Sequence, residues 1–390
     1  MIYVGIDIAK DKHDCYIVTS DGVLISDNLR ITNTLEGFNT LYSIISSNCQ
    51  VASDVRIGLE STGHYGINLE NFLRTKGYQL TVFNPLAVAS FRKSQTLRKT
   101  KTDKVDAKFI TTLLFNSDQT PTALVSDEIR ELKSLTRHRY RLIGQCAKLK
   151  VSVSRLLTIL FPELGTLIWS IHQKSSYAML LEFPSAHDIS NCHLTKLTNL
   201  LSKTSKGKYG KDKAIALKNL ASKSIGINSS GTSFELQQTI RIINYYLDEI
   251  YILDKKIKEL LIQMKTPLIS IPGISYTLAS IILSEVGDIS RFQTPAKLLA
   301  FAGLEPSVYQ SGKFQATGTS MVKRGSTYLR WAIIQAARLV AMRDPTFKLY
   351  QEKKKNEGKH HYVAISHTSK KLLRVIFHLL KNNINFVPQN

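Results

Sequence analysis

At 390 residues the chain is long enough for two or three domains, and its 43% hydrophobic content excludes general disorder. Lys and Arg number 52 against 30 Asp and Glu, and the resulting net charge of +22 points to a polyanionic partner, either nucleic acid or an acidic membrane. No run of about 18 apolar residues predicts a membrane span. The N-terminus has a strand pattern without a signal-peptide layout. Four scattered cysteines, Cys15, Cys49, Cys146 and Cys192, exclude a zinc knuckle or a disulfide frame. These features place the chain in the cytoplasm and put nucleic acid ahead of membrane as partner.

The first region, residues 1–126, alternates strand and helix signals. "IYVGIDI" is a compact apolar strand. "HDCYIVTSDG" alternates and ends in Asp-Gly, a hairpin signal, and "VLISDNLRITN" pairs back on it. "LEGFNTLYSIISS" reads as a helix, "VRIGLEST" as a second buried strand, and "YGINLENFLRTKG" as a helix closed by Gly77. "YQLTVFNP" is a third such strand, and a basic helical segment follows it. Hairpins first and strand–helix alternation afterwards predict one mixed sheet with helices on its faces.

Strand signals fade over residues 127–264. Leu142, Cys146, Leu149, Val153, Leu156 and Leu160 form a heptad stripe, and so do Leu236, Ile240, Ile243, Leu247, Ile250 and Ile257. Two readings stand: an ordinary antiparallel helix pair, or a coiled coil joining subunits. "SKTSKGKYGKDK" between them reads as a flexible basic loop. Residues 265–390 return to well-punctuated helices, with Gly287 closing one and Thr294 preceding the next. The Pro-Gly-Ile at 272–274 fits either a helix-hairpin-helix phosphate site or a turn between core helices.

The charged residues that stand out are acids. Asp7 is the one charged position of the first strand, and Glu60 ends the second. A carboxylate among apolar neighbours is costly to bury unless it is paired or metal-bound, and strand ends are where open sheets place their chemistry. Asp103 and Asp106 lie one helical turn apart inside the lysine-rich "RKTKTDKVDAKFI". Singly, each acid has a structural explanation: a helix capped by Thr102, or a strand-end acid satisfied by backbone N–H groups. As a set they suit phosphoryl transfer on nucleic acid. Lysines such as Lys101 and Lys104 hold phosphates, and carboxylates hold Mg²⁺, with Mn²⁺ as a substitute.

"GIDIAKDKHD", "GLESTGHY" and "KTDKVDAKFI" resemble the three acidic motifs of the DEDD transposases of the bacterial insertion-sequence family one-ten, a group that includes the Piv-type DNA invertases. "SIPGIS…SEVGDISRF…KLLAFAGLEPSVYQSGKF…KRGSTYLRWAI" is similar to that family's second domain, with departures at Met321 and Ser326. The resemblance implies a RuvC-like, ribonuclease-H-like α/β domain with Asp7, Glu60, Asp103 and Asp106 as metal ligands; the helical, coiled-coil middle read from the heptads and an all-α transposase domain complete the expected fold. It further implies a nucleophilic serine at Ser311, a structured non-coding guide RNA and a homo-oligomer, dimer or tetramer. By itself a serine before a glycine also reads as a turn residue. Lys323, Arg324 and Arg330 are placed to hold phosphates, or serve as solvated helix charges.

Three other functions compete. A RuvC-type junction nuclease would use the same acids with water as nucleophile. A sugar kinase or actin-like ATPase wants small residues after the first-strand aspartate, where Lys10 and Asp11 stand, and does not explain +22. A non-enzymatic nucleic-acid-binding protein has no need of Asp7.

Overall fold

The apolar runs near the N-terminus build the centre of a sheet, and the rest of the chain is almost entirely helical. The structure is a computed structural model describing all residues except 62, 96–102, 117–120, 123–124, 308–309, 312–313, 316–319 and 389–390; at 103–104, 310–311 and 314–315 it describes the backbone alone. Two compact units divide the chain, Met1–Leu124 and Val125–Asn390.

In the first unit, strands β1 (Ile2–Ile8), β2 (Lys12–Thr19) and β3 (Leu24–Thr32) form an antiparallel meander. Gly22, at φ +83°, supplies the left-handed residue of the Asp-Gly turn between β2 and β3. Helix α1 (Leu35–Asn48) follows, capped by Thr34. Then come β4 (Val55–Glu60), α2 (Ile67–Thr75), β5 (Gln79–Phe83), α3 (Pro85–Gln95) and α4 (Asp103–Asn116). The sheet order is β3-β2-β1-β4-β5, with β4 parallel to β1 and β5 parallel to β4. Strand alternation sorts the two faces. Ile2, Val4, Ile6 and Ile8 of β1 bury with Cys15, Ile17, Ile57 and Leu59 in one core that also takes Phe38, Leu41 and Leu69 of α1 and α2. The opposite face carries Tyr3, Gly5 and Asp7, and there α4 lies on the sheet.

Glycine permits that contact. A Cβ on Gly5 would stand 2.1 Å from Thr111 Oγ1 and 2.4 Å from the Ala107 carbonyl oxygen; one on Gly58 would stand 2.9 Å from Phe83. Ala107, Ile110, Thr111 and Leu114 of α4 are buried there.

The second unit is organised by two 34-residue helices, α5 (Asp127–Leu160) and α11 (Ser230–Gln263). They pair antiparallel, cross-linked by Arg155–Glu235 (2.7 Å), Arg139–Asp254 (2.6 Å) and Lys256–Glu131 (3.0 Å). The two heptad stripes therefore meet within one chain. At one end, Val153, Leu156, Leu160, Leu236, Ile240 and Ile243 share a core with α6 (Leu164–Leu167), α7 (Lys174–Glu182), α8 (Ala186–Asn191), α9 (Leu194–Ser205) and α10 (Lys211–Ala221). At the other, Leu132, Ile257 and Leu261 join α12 (Tyr276–Val286), α13 (Pro295–Ala302), α14 (Thr327–Arg343), α15 (Pro345–Asn356) and α16 (His361–Asn382). Between the cores the helices have little besides each other, and Leu247 of the heptad stripe is 41% exposed.

The basic stretch expected to be a flexible loop is a short turn between α9 and α10, with Lys206 left-handed at φ 55°. The Pro-Gly turn sits between core elements: a Cβ on Gly273 would fall 2.8 Å from the Leu339 backbone of α14. Two-residue strands β6 (Gln310–Ser311) and β7 (Phe314–Gln315) pair before α14. An α/β unit followed by a helical one agrees with the expected fold class. Among the described residues, no helix is long and apolar enough to cross a membrane.

Candidate active site

The acids of β1 and β4 come together through sheet register. β1 and β4 pair in parallel up to Ile6 and Leu59, so Asp7 and Glu60 are the next residues of each strand, at one end and on the face that carries α4. Both are partly buried. Helix α4 runs antiparallel to β1. Its last turn meets the start of the strand, with the Phe115 and Tyr3 rings 4.9 Å apart, and its middle covers Gly5. Its first turn, with Asp103 and Asp106, accordingly lies toward the Asp7 end. Asp106 is 7% exposed and belongs to the sheet-facing stripe with Ala107 and Ile110. Arg92 of α3 donates to its carboxylate at 2.8 Å.

The sequence reasoning passed over Asp14. It is paired directly opposite Asp7 across the β1–β2 ladder and is 1% exposed. Arg30, its register partner on β3, donates to its carboxylate from Nε at 3.0 Å. Asp14 stands inside the quoted "GIDIAKDKHD". Its place in the period-two alternation, seven residues after Asp7 across a hairpin, is the signal that marks it.

A row of carboxylates thus crosses the sheet from Asp14 through Asp7 to Glu60. These are hard oxygen donors of the kind that suit Mg²⁺ or Mn²⁺. Among the described residues, no three His, Cys, Asp or Glu side chains are gathered to hold a metal ion. The Asp103 side chain, the fourth expected ligand, lies outside the described residues. Glycines at 5 and 58 let α4 lie directly on the sheet, with its acidic first turn toward the strand ends that carry Asp7 and Glu60.

The remaining expected residues are placed as follows. Lys101 and the Lys104 side chain lie outside the described residues. Ser311 is on β6, and its side chain is likewise outside them. Lys323 and Arg324 are exposed in the turn before α14, with Lys323 left-handed at φ 56°. Arg330 donates to the carbonyls of Ala302 (3.2 Å) and Lys323 (3.1 Å), so part of its donor capacity ties that turn together.

A mixed sheet ordered 3-2-1-4-5 with acids on its central strands, followed by a helical unit, is consistent with a ribonuclease-H-like domain joined to a helical domain. Residues 4–162 match a family model described as a transposase, and residues 265–352 match that of the transposase IS116/IS110/IS902 family. Together the matches span more than half of the chain, and the chain belongs to the IS110 family of transposases. It is 24% identical over 392 residues to an IS116 insertion-element protein of Streptomyces clavuligerus, covering 99% of this chain and 96% of that one. It is 25% identical over 394 residues to a pilin gene-inverting protein of Moraxella bovis, covering 98% and 97%. A shorter stretch of 69 residues is 39% identical to the transposase of element IS1111A of Coxiella burnetii, covering 18% of this chain and 19% of that one.

Proposed function

We propose that this transposase is a DNA recombinase that exchanges strands through a covalent serine–DNA intermediate, with Asp7, Glu60, Asp103 and Asp106 holding divalent metal, Mg²⁺ with Mn²⁺ as substitute. The observation that supports the acidic site best is the shared register of Asp7 and Glu60 beneath a helix whose first turn adds Asp103 and Asp106. When bound, the metal neutralises charge on the transferring phosphate. Ser311 attacks phosphorus with its hydroxyl, its proton passes to solvent, and the displaced strand leaves with a free hydroxyl end. Attack by the hydroxyl of the exchanged strand then reforms the phosphodiester and releases Ser311, so resealing needs no nucleotide hydrolysis. Lys101, Lys104, Lys323 and Arg324 hold backbone phosphates. The protein acts as a homo-oligomer, dimer or tetramer, in the cytoplasm. Three regions serve as separate parts: residues 1–126 for metal-assisted chemistry, 127–264 as helical connector and 265–390 for the serine.

The test is to incubate the protein with DNA carrying its element ends, denature it, and look for a detergent-resistant protein–DNA adduct. Ser311→Ala should remove it. Cleavage to 5′-phosphate and 3′-hydroxyl ends without an adduct would support the water-using junction nuclease instead.

Target choice is assigned to a structured guide RNA. Basic segments occur in all three regions, "RKTKTDK", "RHRYR", "SKGKYGKDK" and "KKKNEGKHH", although Arg137 and Arg139 of the second are engaged by Glu285 and Asp254, and none has the sequence of a zinc finger or an RNP-type strand. Recombination by purified protein and DNA alone, at the correct sites, would remove the guide from this reading.

A further inference from the structure

Glu285 on α12 is a buried carboxylate far along the chain from the strand-end acids. It is 2% exposed on a helix whose Ile282 and Val286 enter the apolar core and whose Ser284 is buried against Thr136 of α5. Its oxygens accept three hydrogen bonds from two side chains. Arg137 of α5 donates from Nε at 2.6 Å and from Nη2 at 3.0 Å, and Ser326 donates from its hydroxyl at 2.8 Å. Lys133 Nζ stands 4.0 Å away. Burial alone would raise its pKa, but Arg137, Lys133 and Ser326 together hold it below the ordinary glutamate value, so it is ionised at neutral pH. A buried ion pair is weak evidence of net stabilisation, since well-packed apolar residues commonly do as well. What it supplies is a defined position.

That position is passed toward Ser311. Ser326 is the N-cap of α14: its oxygen accepts from the Leu329 N–H at 3.1 Å while its proton goes to Glu285. Its own N–H donates to the Phe301 carbonyl at 2.8 Å. Gly325 before it has φ +131°, and a Cβ there would stand 2.2 Å from the same Phe301 oxygen. Next, Lys323 N–H donates to the Gly303 carbonyl and Val322 N–H to that of Glu305. The ladder continues through a Pro306–Met321 bridge to Ser307 and Ser320. Arg137 lies over the Tyr328 ring at 4.7 Å, and Tyr140 meets Tyr328 and Trp331 edge-on. The carboxylate therefore locks α5, α12 and the N-terminus of α14 at the root of the segment that carries Ser311.

We infer that Glu285 is a positioning residue for the recombination chemistry: through Ser326 it fixes the paired backbone of 303–307 and 320–326, the root of the segment that carries Ser311. The inference rests on Ser311 as the nucleophile. It is tested with the full-length protein at saturating DNA, by measuring the rate of adduct formation, DNA affinity, thermal midpoint and hydrogen exchange of residues 303–326. Glu285→Gln keeps the shape and removes the charge; Ser326→Ala removes the hydroxyl. Each should slow adduct formation by roughly 10- to 100-fold and speed exchange in 303–326, with DNA affinity little changed; the thermal midpoint should drop, since Arg137 loses its charge partner or α14 its cap, while the protein stays folded at the assay temperature. Ser326→Thr, which keeps the hydroxyl, should retain the wild-type rate. The Glu285→Gln/Ser326→Ala double variant should be no slower than the slower single, since both act through one link. Folded single variants with wild-type rates, or effects that simply add, overturn the inference. A wild-type protein that cleaves without forming an adduct overturns the Ser311 reading, and the inference with it.

Discussion

Asp7 and Asp14 face each other across the β1–β2 ladder, two carboxylates directly opposed on one face of the sheet. Like charges in that relation repel, and Arg30 beside Asp14 offsets the cost. The pair suggests a division of labour that can be measured. Asp7→Asn should lower strand cleavage by about three orders of magnitude at any metal concentration, the size of several kcal/mol of lost transition-state stabilisation. Asp14→Asn should leave cleavage intact and raise the Mg²⁺ concentration needed, because it removes only part of the negative field that draws the cation. A metal titration of both variants checks this. Equal loss in both would make Asp14 a ligand in its own right.

Arg92 occupies the carboxylate of Asp106. A cation binding there competes with the guanidinium. Arg92→Gln should therefore lower the half-saturating Mg²⁺ concentration by about 2- to 5-fold, the range expected for a partly exposed ion pair. An increase would show that Arg92 orients Asp106 for the metal.

Gly5→Ala tests the contact between α4 and the sheet. The added carbon meets backbone at 2.4 Å, which no rotamer change relieves. Overpacking of this kind costs about 1–3 kcal/mol, so the denaturation midpoint should fall. Cleavage should fall with it even under conditions where the protein remains folded, since the acidic first turn is levered off the strand ends. Gly22→Ala, in a turn with open space around it, should leave cleavage unchanged.

His13 is fully buried on the other face of β2, and neither ring nitrogen has a hydrogen-bond partner. Burial lowers its pKa below the ordinary histidine value, against the smaller opposing pull of Asn33 and Asp14. Above pH about 6.5 the ring is neutral in both the folded and unfolded chain and contributes nothing to the pH dependence. As pH drops below that, the unfolded chain takes a proton that the folded chain refuses, and stability falls by at most about 1.4 kcal/mol per pH unit from this group. Urea midpoints of wild type and His13→Leu between pH 7.5 and 5 should diverge toward acid, with the variant losing less. Parallel curves would show that His13 does not titrate differently on folding.

The elements visible in the sequence were those whose signal is local. β1, β4 and β5 are short, mostly apolar runs, the Asp-Gly turn and Gly77 carry positive φ, and Thr294 caps α13. Asp7 and Glu60 stood out because each interrupts or ends such a run. Asp14 did not, because beside Lys10, Asp11 and Lys12 it reads as one more turn charge; its meaning comes from a cross-strand register that periodicity in one strand does not carry. The cluster α6–α10 was hidden for a related reason. Its helices are short, and apart from the Leu194, Leu197, Leu200 and Leu201 stripe of α9 their apolar residues are shared with the ends of α5 and α11, so the segments do not announce a separate core. Glu285 was concealed in "SEVGD" among ordinary helix residues, and its importance lies in donors 148 residues before it and 41 after.

The placement of the two cores at opposite ends of α5 and α11 has a mechanical consequence. Thirty-four residues of helix span about 50 Å. The pair is a slender rod with a globular weight at each end, braced along its length by the Arg139–Asp254 and Arg155–Glu235 pairs. A rod of that length multiplies angle into distance: a tilt of only about 6° at one end carries the other through about 5 Å, one helical turn. An angular displacement of the α6–α10 cluster is thus felt at the far end of the rod, where Arg137 of α5 is seated against Glu285 of α12.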